Sequence, residues 1–99
     1  MWKRSYRKDG RLIPSRTHGL RAGAVTLTSG AVMDWHSTHE REELLISIAG
    51  RVSVECATSW RKTRRVLLQA GECLLLPHNT RHRVVNHGAS PARYLYVTG

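Results

Sequence analysis

Helical periodicity is almost missing from this sequence. No stretch of about twelve residues keeps apolar positions at i, i+3, i+4 and i+7, and glycines and β-branched residues are scattered throughout. A helical bundle is thereby excluded. No apolar run approaches the ~20 residues of a membrane-spanning helix, so no membrane association is expected. The basic N-terminus lacks the apolar core of a signal peptide, which points to the cytoplasm. Cysteine is scarce as well. Cys56 and Cys73 are the only two, lie in apolar strand-like segments and lack C-x2-C spacing. They are therefore expected to be reduced core thiols, neither bridged nor metal-bound. Low-complexity tracts and solenoid-length repeats are absent too. A chain of 99 residues leaves no room for a second hydrophobic core, so one domain is expected.

Acidic residues are the other shortage. Seven acids face sixteen Lys and Arg, giving a net charge of +9. Residues 1–21 carry seven cations against Asp9 alone, and a second cluster is Arg61-Lys62-Thr63-Arg64-Arg65. Patches of this kind can mark nucleic-acid contact. Here no aromatic platform or nucleic-acid motif accompanies the charge, so a solvated N-terminal segment and a solvated hairpin turn are expected, with nucleic acid not favoured as a partner.

Strand signals are abundant. Val25 and Leu27 alternate with Thr26 and Thr28 before a turn at Ser29-Gly30, and 32–36 reads as a second strand. Leu44 to Ile48 is a third. Val52, Val54 and Cys56 then point one way while Arg51, Ser53 and Glu55 point the other. Val66 to Gln69, Cys73 to Leu76, His82 to Val85 and Tyr94 to Val97 complete about eight short strands with turn residues between them. Such a series predicts an all-β sandwich or closed antiparallel barrel. Leu44-Leu45-Ile46 and Leu74-Leu75-Leu76 are apolar on both faces, which predicts cover from a second subunit and hence a homodimer.

Six histidines give the chain its chemistry. His36, His39 and Glu43 fall within eight residues around a predicted strand pair, and His82 lies on a later strand. Imidazoles plus a carboxylate, drawn from separate strands, suit one divalent transition-metal ion such as Fe, Mn, Ni, Co or Zn. A barrel interior brings distant residues to one axis. His18, His78 and His87 lie in turn-like surroundings and are expected at the surface. On strand parity Trp35 faces opposite His36. By the same parity Asp34 shares the face of His36 and is a candidate general base, while Tyr94 or Tyr96 is a candidate donor to a bound oxyanion.

Two segments resemble the conserved motifs of the cupin superfamily. Gly30-x5-His36-x2-His39-x3-Glu43-x6-Gly50 resembles the first, G-x5-H-x-H-x3,4-E-x6-G. Gly71-x5-Pro77-x-Asn79-x2-His82-x3-Asn86 resembles the second, with Asn79 in place of a glycine. Asn is the residue that best replaces glycine in a left-handed turn. The intervening 20 residues, Arg51 to Ala70, match the short spacing of such proteins. The resemblance implies a small cupin-type jelly roll, a double-stranded β-helix, over residues 22–99, with 1–21 as a basic, partly strand-forming segment of the same domain. It also implies a metal held by His36, Glu43 and His82, with His39 as a further ligand.

The first motif departs from the family in one respect. Its histidines are three apart where the family has two, and spacing of three places them on opposite faces of a regular strand. Counted from Gly30, the ligand is His36 and Thr38 takes the second position. Counted back from Glu43, the ligand is His39 and Ser37 takes the first. A β-bulge at Ser37-Thr38 would let both point inward. What the resemblance implies for function is wide. The chain is either a metal-dependent enzyme, oxygenase- or isomerase-like, acting on a small molecule, or a non-catalytic barrel that binds or senses a small anionic ligand.

Overall fold

A computed structural model describes all 99 residues, and every regular element is a strand. They are β1 (Gly10–Arg11), β2 (Arg21–Leu27), β3 (Val32–Ser37), β4 (Glu43–Ala49), β5 (Arg51–Ser59), β6 (Lys62–Gln69), β7 (Cys73–Leu76), β8 (Arg81–Val85) and β9 (Ala92–Thr98). No helix is long and apolar enough to cross a membrane. The strands form two antiparallel sheets, one ordered β1-β2-β9-β4-β7 and the other β3-β8-β5-β6. The all-β antiparallel architecture expected from the alternating pattern is the one the chain adopts.

The core lies between the sheets because one face of each strand is apolar. On β4, Leu45 is buried with Glu43 and Ser47 while Leu44 and Ile46 face outward; on β5, Val52 and Val54 are buried. Leu27, Leu68, Leu76, Val84 and Tyr94 complete the cluster. Each such aliphatic side chain contributes about 1.5–3 kcal/mol on burial. Between β4 and β5 the chain turns at Gly50, whose φ is +67° and where a Cβ would meet the Pro91 carbonyl oxygen at 2.7 Å. Only glycine fits that corner.

Three expectations change here. The basic cluster 61–65 is not a solvated turn. The turn sits at Trp60-Arg61, and Lys62 already begins β6. Arg65 and Arg83 reach across the outer face to Glu55, at 3.0 and 2.6 Å, and shield it under two guanidinium arms. The N-terminal segment is largely exposed and contributes β1 to the sheet. Gly10 and Arg11 pair with Ala24 and Gly23, Trp2 Nε1 donates to the Leu12 carbonyl at 2.8 Å, and Arg93 holds Asp9 at 3.3 Å. The two cysteines are free thiols as expected, but Cys73 is exposed and Cys56 only half-buried. Finally, the bulge on β3 lies between Met33 and His36, not at Ser37-Thr38.

Candidate metal centre

The displaced bulge decides which side chains enter the barrel. Met33 pairs with Val84 and His36 with His82, so two residues of β3, Asp34 and Trp35, stand opposite one of β8, Arg83. Met33 and His36 therefore both line the interior despite their odd separation. Asp34 falls within the bulge and leaves the face it was expected to share with His36. Its carboxylate accepts from the Trp35 backbone N–H at 2.7 Å, on the exposed side and away from the cavity. Asp34 is thus removed as a candidate base. Trp35 faces outward as expected, under the guanidinium groups of Arg81 and Arg83 at 5.7 and 5.0 Å.

His36, Glu43 and His82 meet. One ligand atom from each lies within 4.8 Å of the others. The two imidazoles come from neighbouring strands of one sheet, with ring centroids 4.2 Å apart, and Glu43 from the first position of β4 in the other. The centre thus sits where the sheets close together.

Hydrogen bonds fix how the rings are presented. His36 Nδ1 lies 2.8 Å from the Asp34 carbonyl oxygen and His82 Nδ1 lies 3.0 Å from that of Thr80. A carbonyl only accepts, so each Nδ1 carries the proton and each neutral ring turns its Nε2 lone pair toward the centre. His82 Nε2 then stands 2.8 Å from Glu43 Oε2, lone pair against lone pair. Both atoms are buried, and neither has a hydrogen-bond partner. A positive charge must join them, either a proton that makes His82 an imidazolium or a metal ion. Burial alone pulls the His82 pKa down, but Glu43 and the Thr80 carbonyl together outweigh it and hold the imidazole above 6.5. Two buried atoms converging with a third possible ligand, each histidine oriented by a backbone carbonyl, form a group that could hold a metal ion.

His39 lies outside this group. It follows β3 in the left-handed conformation, φ +54°, exposed at the cavity mouth. Its backbone carbonyl accepts from the Asn79 N–H at 2.6 Å, and Asn79 itself has φ +53°. The register is the one counted from Gly30, with Thr38 at the second motif position. Thr38 is buried and turns away from the centre. Its hydroxyl donates to the Pro77 carbonyl at 2.8 Å and accepts from Thr80 N–H at 2.9 Å, while its own N–H donates to the Thr80 carbonyl at 3.1 Å. That side chain stitches the loop after β3 to the loop before β8, which carries His82. His18, His78 and His87 are all exposed.

Beyond the three ligands opens a cavity of about 980 Å3. Tyr94 and Tyr96, alternate residues of β9, both line it. Burial raises the Tyr94 pKa well above the ordinary phenol value, and the charge of Glu43 and then Tyr96 add to the rise, so its hydroxyl stays protonated as a donor. Tyr96 lies flat over Gly23, its partner across the β2–β9 ladder, where a Cβ would come within 2.4 Å of the ring. The sequence pattern did not reveal the wall formed by the stretch between β1 and β2, including Ile13 and Leu20, because that stretch has no periodicity. The signal that was available for Thr38 was the count from Gly30.

A protein-family model described as a cupin domain matches residues 23–98. No curated protein matches the chain. Among solved structures, TT1209 from Thermus thermophilus is similar with a TM-score of 0.76 and 23% identity, over 93% of this chain and 83% of that one. A cupin 2 conserved barrel domain protein from Salinispora arenicola gives 0.74 and 24%, over 92% and 73%. An oxalate oxidase gives 0.73 and 20% over 81% of this chain, which spans only 41% of the oxidase. At these identities the likeness is one of fold.

Proposed function

The chain belongs to the cupin family, and from that premise we propose that it is a metal-binding cupin acting on a small molecule inside the barrel. One observation carries this. Glu43 Oε2 and His82 Nε2 are buried without partners and face each other at 2.8 Å, with the His36 ring beside them. A carboxylate buried against two imidazoles needs a compensating positive charge, and a divalent cation held by His36, Glu43 and His82 would supply it. Such an ion supplies Lewis acidity and, where it is redox-active, electrons for dioxygen chemistry. Three protein ligands leave room for a small molecule on the cavity side.

The chain's own residues define the rest of the chemistry. The Tyr94 hydroxyl, protonated and lining the cavity, would donate to an oxyanion that develops there. The Asp34 and Thr80 carbonyls hold the two imidazoles in the tautomer that presents Nε2. The oxalate oxidase among the structural neighbours supports oxygen-dependent reactions as the first to screen, and the enzyme reading stands on that screen. Two free thiols support a reducing, cytoplasmic setting.

Elemental analysis of protein purified without chelator tests the metal. About one ion per chain is expected in the wild type and in His39→Ala, and loss is expected in His36→Ala, Glu43→Ala and His82→Ala. A wild type that neither holds nor takes up metal overturns the proposal and leaves non-catalytic binding of a small anionic ligand, which the arginines at the cavity mouth support.

A further inference from the structure

The stretch between β1 and β2 is a strap that forms one wall of the cavity through Ile13, Thr17 and Leu20. It is tied in place at several points. Leu12 N–H donates to the Ala22 carbonyl at 2.9 Å, the Thr17 hydroxyl to the Leu20 carbonyl, and the Arg41 guanidinium to the Gly19 carbonyl. An arginine stands at each end of the strap, Arg11 on β1 and Arg21 on β2, and Arg41 comes from the loop between β3 and β4. All three line the cavity.

Their charges are unanswered. The chain's ion pairs away from the cavity engage Arg65, Arg83 and Arg93, whereas Arg11, Arg21 and Arg41 pair with no carboxylate. Glu40 and Glu43 are the only carboxylates lining the cavity, and Glu43 is committed to His82. Three guanidinium groups therefore share one free acid at the mouth. Guanidinium presents a planar fork of N–H donors matched to carboxylate and phosphate oxygens. The remaining wall is apolar where Leu20, Met33, Leu45 and Val84 contribute.

We propose that Arg11, Arg21 and Arg41 select an amphipathic small molecule with one oxyanionic head group, held at the mouth while its apolar body enters the barrel. This rests on the cavity being the functional site, as proposed above, but on no bound metal.

The test is titration calorimetry and amide-shift NMR on the full chain, stripped with chelator, using 4-phenylbutanoate, phenyl phosphate and the neutral 4-phenylbutanamide. At least one anion is expected to bind about tenfold more tightly than the amide, with affinity falling as salt is added and shifts centred on the strap. Whichever anion binds more tightly identifies the head group. Arg11 and Arg21 are solvent-exposed, so the double variant Arg11→Gln/Arg21→Gln is expected to keep its dispersed spectrum and to lose most of its preference for the anions, with Arg41 alone retained. Equal affinities in the wild type, no binding by any probe, or an undiminished anion preference in the folded double variant each overturn the proposal. Should the double variant unfold, the salt titration on the wild type decides alone. Cobalt(II) uptake, measured separately, distinguishes the two proposals: anion selection without cobalt uptake removes the metal centre and leaves this inference standing, and cobalt uptake without anion selection does the reverse.

Discussion

Thr38 stands where the cupin motif carries a second histidine, and its hydroxyl is committed to the backbone of the neighbouring loop. Thr38→Val keeps the shape but leaves the Pro77 carbonyl and the Thr80 N–H without that partner, which costs about 1–3 kcal/mol. Thermal melts should show a midpoint lower by at least about 4 °C. An unchanged midpoint would mean that water satisfies both groups. Gly23 makes a parallel case. Gly23→Ala places a methyl in the ring of Tyr96, so Tyr96 must swing away. A loss of about 1–3 kcal/mol in denaturant unfolding is expected. Tyr96→Leu in the alanine background should recover part of it, and failure to do so would move the strain elsewhere. At this scale the sequence is readable wherever spacing alone decides position. His36, Glu43 and His82 are fixed by counts from turn glycines, and the left-handed Asn79 by its place in a glycine slot. Asp34 escapes such counting because parity assumes a regular ladder, and one inserted residue at Asp34-Trp35 reverses it; His39 escapes it because β3 ends at Ser37 and His39 turns left-handed beyond it.

The β5–β6 hairpin shows what alternation conceals. Glu55 points away from the core yet is buried, because Arg65 and Arg83 lie over it on the outer face. Alternation gives the face of a side chain and says nothing of long neighbours folding across it. The hydrogen bond from Arg83 lowers the Glu55 pKa below 4.5, with Arg65 adding to it against the opposing effect of burial. Stability from this carboxylate is complete above about pH 4.5 and is lost as the pH falls through the lower folded value. Melts of the wild type from about pH 6 to about pH 3 should therefore show an acid limb that flattens in Glu55→Gln. Identical limbs would assign acid sensitivity to other carboxylates.

Across the whole molecule, one face differs from the rest of this strongly basic surface. On the outside of the five-stranded sheet, Leu44 opposes Leu75 and Val97, and Ile46 opposes Cys73 and Leu95. Leu75 is 59% exposed. The one charge facing outward there, Arg93, is paired with Asp9 at the sheet's edge. For a chain of net charge +9, this is where a second copy can approach with least repulsion. We propose that it does. Sedimentation should give a dimer at micromolar concentration and a monomer for Leu75→Asp, and a wild-type monomer would end the idea.

The place of β9 has a consequence in time. It lies between β2 and β4, strands that precede it in the chain by roughly 70 and 50 residues. Until those distant segments meet, β2 and β4 each offer an open edge, and Tyr94 has no pocket to fill. Closure of so wide a loop is slow compared with hairpin formation, so the early hairpin of β5 and β6 should be found long before the sheet that carries Glu43 is complete.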